Sequence, residues 1–146
     1  MKVYLASDHA GFDLKQEIKN YLLSQNYIIE DCGDFTPTKD DDYPEFIAKA
    51  AEKISNDQDS KAIVFGKSGA GEEIVANKFK NVRAVIGFSK ENVKLARKDN
   101  DANILALGSQ FVNTEDAIEL VKLFLETPFS NADRHKRRIE EISNLE

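Results

Sequence analysis

The sequence predicts an α/β fold, a single three-layer domain over residues 1–146 with a five-stranded parallel sheet and a C-terminal helix. Three observations point there. Short apolar runs alternate along the chain with stretches of helical periodicity, which requires βαβ crossovers and a parallel sheet covered on both faces. Polar or glycine-rich residues close several of those runs, at the sheet edge where ligands bind in such folds. The length of 146 residues, 41% hydrophobic and 32% charged, suits one core and needs no linker.

Taken in order, Lys2 to Ala6 is a buried first strand that stops at Ser7-Asp8-His9-Ala10-Gly11. Phe12, Leu14, Ile18 and Leu22 recur at helical spacing with Lys15, Glu17 and Lys19 on the outer face, giving a helix over about 11–24. Tyr27 to Cys32 is the second strand. Gly33 to Asp42 is a polar connection whose acidic run, Asp40-Asp41-Asp42, reads as a solvated loop. Asp42 caps a helix from Tyr43 to Ile54, with Pro44 in its first turn. The third strand is Ala62 to Phe65, followed by a helix over about Gly71 to Phe79, and Arg83 to Gly87 is the fourth strand. Ser89 caps a helix reaching Arg97, Asp99 to Asn103 leads into a fifth strand at Ile104 to Leu107, and Asp116 to Leu125 is amphipathic. Beyond Pro128, Ala132 to Leu145 is a last helix, first basic and then acidic.

The chemistry concentrates in residues 62–78, AIVFGKSGAGEEIVANK. A strand, a glycine-rich turn and a helix start make an anion cradle, because glycines let the backbone N–H groups approach a ligand and the first helical turn adds free donors. Two familiar loops fail on spacing: a nucleoside-triphosphate loop needs glycine at position 61, which is Lys61, and a dinucleotide fingerprint needs a third glycine at Ile74. A phosphoacceptor receiver domain fails because the third strand ends at Phe65-Gly66 rather than at an aspartate. Glu72 and Glu73 stand about 100° apart on the helix, so one faces the cradle and the other is a solvated first-turn acid. A carboxylate beside an anion hole suits proton abstraction, and Asp8 with His9 reaches the same sheet edge, enough for general acid–base work without a metal. In the tail, Arg134 and Arg138 share one helical face and suit a phosphate, though a solvated face paired with Glu140 and Glu141 is the plainer alternative.

The net charge of −6 disfavours nucleic acid as a partner, and one cysteine, Cys32, makes neither a disulfide framework nor a metal quartet. The apolar run at the N-terminus is too short for a signal peptide and no segment approaches a membrane span, so the chain reads as cytoplasmic.

With these residues in view, the chain resembles the B-type ribose 5-phosphate isomerases and the galactose 6-phosphate and allose 6-phosphate isomerases of the same superfamily. The resemblance runs through SDHAGFDLK, DYP at 42–44, GKSGAGEEIVANK, RAV at 83–85, ARKDNDANILALGS and RHKRRIEEI. It implies a Rossmann-like fold, cofactor-independent aldose–ketose isomerisation of a sugar phosphate through an enediolate, and a homodimer, or a dimer of such dimers, with sites at the subunit boundary. By position it makes Glu72 the base. It assigns the enediolate hole to the backbone around Gly66, Ser68, Gly69 and Gly71 with Asn100, the phosphate to His9, Arg134 and Arg138, and a sugar hydroxyl to Asp8.

Phe65 stands where one branch of that family has its catalytic Cys, which places the chain with the Glu branch. Two positions depart from the pattern. Asp99 replaces a His that assists ring opening, leaving that step to Asp8, to Asp99 as base, or to spontaneous opening. Gln110 replaces an Arg that adds to phosphate binding. Ribose 5-phosphate is the expected substrate; a six-carbon sugar phosphate and a non-catalytic sugar-phosphate-binding protein are the alternatives.

Overall fold

A computed structural model describes residues 1–146. Five parallel strands, β1 (Lys2–Ser7), β2 (Ile28–Asp31), β3 (Lys61–Gly66), β4 (Ala84–Ile86) and β5 (Ile104–Gly108), lie in the order β2-β1-β3-β5-β4. Between and after them run α1 (Phe12–Ser24), α2 (Tyr43–Asn56), α3 (Ala70–Ala76), α4 (Lys90–Asn100), α5 (Thr114–Glu126) and α6 (Asp133–Ser143). No helix is long and apolar enough to cross a membrane.

The pleat divides the strand residues between two cores. Val3, Leu5, Ile63, Phe65, Leu105 and Leu107 pack with α1, α4 and α5, whereas Tyr4, Ala6, Ala62, Val64, Ile104 and Ala106 pack with α2 and α3. In register, Ser7 pairs with Phe65 and Gly66 with Gly108, so the strand ends that carry polar residues lie side by side. The chain leaves β1 toward β2 and leaves β3 toward β4 on the opposite side. That divergence opens a crevice beyond the carboxyl ends of β1 and β3.

Several boundaries move from their sequence positions. Helix α4 continues past Arg97 through Asp99 and Asn100, and ends where Asp101 takes a left-handed conformation at φ 46°, its N–H closing back on the Arg97 carbonyl and the Ala102 N–H on that of Ala96. Helix α3 stops at Ala76 rather than Phe79, where the Asn77 side chain bonds both the N–H and the carbonyl of Ala84 and turns the chain into β4. Ser89 caps α4 reciprocally with Asn92, as expected, but Asp42 makes no side-chain cap on α2.

Lys15 is not on an outer face: its side chain is 0% exposed, donating to Asp31 Oδ1 at 2.8 Å and to the Asp34 carbonyl at 2.6 Å. Burial holds the Lys15 ammonium below its ordinary pKa. Burial also works against ionised Asp31, but hydrogen bonds from Lys15, the Gly33 N–H and Lys19 prevail and keep that carboxyl below its usual range. This pair ties α1 to the end of β2 and to the loop that follows. Lys15→Met is expected to lower stability by about 3 kcal/mol in urea unfolding, since it strips a buried partner from Asp31 and the Asp34 carbonyl. A loss below ~1 kcal/mol would show that Lys19 alone satisfies Asp31.

Candidate active site

The crevice at the carboxyl edge collects Asp8, His9 and the Gly66–Gly71 loop, as the sequence led us to expect. The loop is fixed from behind by β5: the Ser109 N–H donates to the Gly66 carbonyl at 2.8 Å and the Gln110 N–H to the Lys67 carbonyl at 3.1 Å. With those carbonyls turned toward β5, the N–H groups of Lys67, Ser68 and Gly71 have no acceptor within the chain. Gly69 makes the turn possible at φ +86°, the left-handed region that glycine enters freely. A side chain at Gly108 would strike the Ser68 backbone, so close approach of loop and strand also depends on glycine.

Glu72 is the acid that faces this cradle. It is 3% exposed, and its carboxylate lies so close over Gly66 that a methyl group there would overlap it. Burial pushes the Glu72 carboxyl above the ordinary range and nearby Asp8 adds to the effect, while the N–H groups of Glu72 itself and Gly69 pull the other way. Glu73 is not simply solvated. It is half-buried and its Oε1 accepts the Ile86 N–H at 3.1 Å, fastening α3 to the end of β4.

Asp8 is buried, and its Oδ1 accepts the Gly11 N–H at 3.1 Å across the β1–α1 turn. His9 lies at the surface beside it with its Nδ1 bonded to Asp41 Oδ1. The acidic run is therefore not uniformly solvated: Asp41's side chain is 8% exposed because His9 draws it inward. Asp8, His9 and Asp41 hold their donor atoms within 4.8 Å of one another, but the His9 Nδ1 is already engaged by Asp41. Tyr43, given no role by the sequence reading, lays its ring against Gly71 and walls the cradle. Its place as the middle residue of the DYP segment was the available signal.

Asp99, Asn100, Arg134 and Arg138 are elsewhere. Helix α4 descends from Ser89 at the carboxyl edge, so its last turn lies about 16 Å away along its axis, at the amino edge. Arg83, at the head of β4, bonds the Asn100 carbonyl there, and the Ser130 N–H bonds the Lys98 carbonyl. Helix α6 follows at this same edge, with His135 Nε2 3.7 Å from Asp99 Oδ1 and Glu146 accepting the Asn81 N–H. Arg134 and Arg138 are exposed and form no ion pair, with Glu140, Glu141 or any other carboxylate. One chain thus carries the acid and cradle at one edge of its sheet and the free guanidiniums at the other. The broadest surface hollow, between Asn77–Val82 and Ile142–Glu146, holds none of the crevice groups.

A family model for Ribose/Galactose Isomerase matches residues 3–142. The chain is 43% identical over 146 residues to ribose-5-phosphate isomerase B of Mycolicibacterium paratuberculosis, covering all of this chain and 92% of that one. It is 38% identical over 130 residues to a 4-deoxy-4-sulfo-D-erythrose isomerase of Clostridium sp., covering 89% and 82%. The crystal structure of Mycoplasma genitalium ribose-5-phosphate isomerase B with bound ribulose-5-phosphate superposes with a TM-score of 0.95 at 34% identity, covering 99% of this chain and 95% of that one.

Proposed function

The chain belongs to the ribose/galactose isomerase family, and from that premise we propose that it is a cofactor-independent aldose–ketose isomerase interconverting ribose 5-phosphate and ribulose 5-phosphate. The observation that carries this reading is Glu72, shielded from water and set against a loop whose Lys67, Ser68 and Gly71 N–H groups lack acceptors. Glu72 takes the proton from C2 of the open-chain aldose, and the electron pair moves through the forming C1–C2 double bond onto O1. The free amides receive that oxyanion, each donor contributing roughly 3–4 kcal/mol to the transition state. A proton passes from O2 to O1 within the enediolate, and Glu72, now protonated, returns its proton to C1 as the ketose carbonyl forms at C2. Asp8 holds a sugar hydroxyl, and His9 meets the phosphate.

The two-edged distribution of groups favours a homodimer in which a second copy brings Asn100, Arg134 and Arg138 to the crevice, with Asp99 beside them as a base for ring opening. Gln110 favours a second reading, a six-carbon sugar phosphate, because it stands against the loop through Lys67 without contributing a cation.

Proton NMR in D2O tests both readings. Ribose 5-phosphate should lose its C2 proton signal and yield ketose, with a higher kcat/KM than galactose 6-phosphate or allose 6-phosphate. The reverse order moves the assignment to the six-carbon sugars, and binding without C2 exchange on any of them overturns the enzyme. A further check lies at Gly66, where the backbone tolerates alanine but the added methyl displaces the Glu72 carboxylate. Gly66→Ala is expected to lower kcat about a hundredfold while leaving urea stability within ~1 kcal/mol. Unchanged kcat would place the base elsewhere.

A further inference from the structure

Behind His9 lies an arrangement that proton transfer at Glu72 does not use. Asp41 Oδ1 accepts two protons from one residue, that of the His9 backbone N–H at 3.2 Å and that of the Nδ1 ring nitrogen. Its other oxygen, Oδ2, is buried without any donor, and so is Oδ2 of Asp34 in the same loop. Asp34 is 5% exposed, and its Oδ1 accepts the Thr36 N–H at 3.0 Å. Two adjacent carboxylates, each with an orphaned oxygen shut off from water, cannot both stay ionised. A proton kept on one carboxyl lets it donate to the other.

We propose that Asp41 is a positioning residue for His9, fixing the imidazole through Nδ1 so that Nε2–H is its one outward donor to an anionic substrate group, and that Asp34, as a neutral acid, holds Asp41 from behind. The assignment of the proton to Asp34 follows from the surroundings of each carboxyl. Asp41 faces the cationic partner it already binds, whereas Asp34 has a backbone amide and the more distant Lys15, whose Nζ is given to Asp31 and to the Asp34 carbonyl. Burial, then the hydrogen bond with Asp41, push the Asp34 carboxyl above its usual range. Burial acts on Asp41 in the same sense, but its bonds to Asp34 and His9 prevail and hold it below. The hydrogen bond that His9 donates to Asp41 holds His9 above the ordinary histidine value; Asp8 from the β1–α1 turn and Asp34 add to this. Glu72, on α3, is near enough to Asp8 for the two charges to interact. The raised proton affinity favours the cationic form of His9, so its contribution to anion binding is complete at low pH and fades as pH rises through that value.

The imidazole's role as a phosphate contact rests on the function proposed above, but its fixation by Asp41 can be read without turnover. The protein has two histidines, His9 and His135, so nitrogen-15 NMR of the free protein resolves each ring and uses His135 as a folding control. In wild type His9 should show a protonated Nδ1 that persists to higher pH than in an ordinary histidine. Asp41→Asn should weaken proton binding at His9 by roughly tenfold or more, and Asp41→Glu, which restores the charge, should recover part of it. Asp34→Asn replaces one neutral donor by another and should leave the His9 titration within about twofold. With substrate, Asp41→Asn should raise KM about tenfold near pH 8 with kcat little changed. An unaltered His9 titration in Asp41→Asn overturns the proposal. A shift in Asp34→Asn as large as that in Asp41→Asn overturns the neutral acid. Inactivity on every sugar with the NMR results intact overturns the enzymatic reading and leaves the fixation standing.

Discussion

Glu72→Gln is expected to lower kcat by about a thousandfold or more, within the range that general acid–base groups supply, with KM almost unchanged. The amide keeps the shape and the contacts with the loop but cannot accept the C2 proton. The wild-type pH profile carries its own signature. A base must be ionised to act, and burial raises the Glu72 carboxyl, so kcat falls about tenfold per pH unit below a point above the ordinary carboxylate range. That acid limb should vanish in the variant. Stability should move the opposite way. A carboxyl with a raised folded-state pKa binds protons more tightly in the native protein, so wild-type stability declines as pH rises through that value. Glutamine escapes the decline, and the variant should be the more stable protein at neutral pH. Wild-type-like kcat, or an acid limb that survives, would remove Glu72 as the base.

Mixing two inactive proteins should restore activity. In the proposed homodimer, Glu72→Gln removes the base from both sites, and Arg134→Ala/Arg138→Ala removes both guanidiniums from both sites. If each site joins the carboxyl edge of one subunit to the amino edge of another, a mixed dimer contains one site with every group and one with neither. Random subunit exchange makes half the dimers mixed, so about a quarter of wild-type kcat/KM should return. A kinetic assay of the mixture measures it, and mixed dimers purified through two tags should show about half of wild-type kcat/KM, one working site of two. If all groups instead came from one chain, every mixed dimer would keep both defects apart in separate sites, and no activity would return.

The strands and helices were legible because their signals are local: the continuous apolar runs of β3 and β5, the Ser89 cap, and i,i+3/i+4 spacing along α1 and α5. The cradle was legible too, since glycine spacing after a buried strand specifies a backbone need rather than a partner. What local pattern could not supply was the destination of single polar side chains. Lys15 stands three residues before Ile18 and seven before Leu22, on the buried face by spacing, and only its charge suggested an outward one; Asp31, 16 residues on, pairs with it there. Asp41 belongs to an acidic run that looks solvated until His9, 32 residues earlier, folds against it. Glu73 resembles any first-turn acid, and its bond to Ile86 depends on where β4 ends. The separation of Arg134 and Arg138 from the cradle was implicit in chain direction, because a helix that starts at one edge of a parallel sheet finishes at the other.

Helix α6 contributes a single well-buried side chain, His135, to the interior. The sheet that aims Glu72 is therefore almost indifferent to what α6 displays. Divergence can rewrite the outward row of this helix, trading a doubly charged phosphate for a smaller or singly charged headgroup, while the proton-transfer apparatus stays as it is. Under the proposed function, substrate choice and reaction chemistry would reside on separable parts of one short chain.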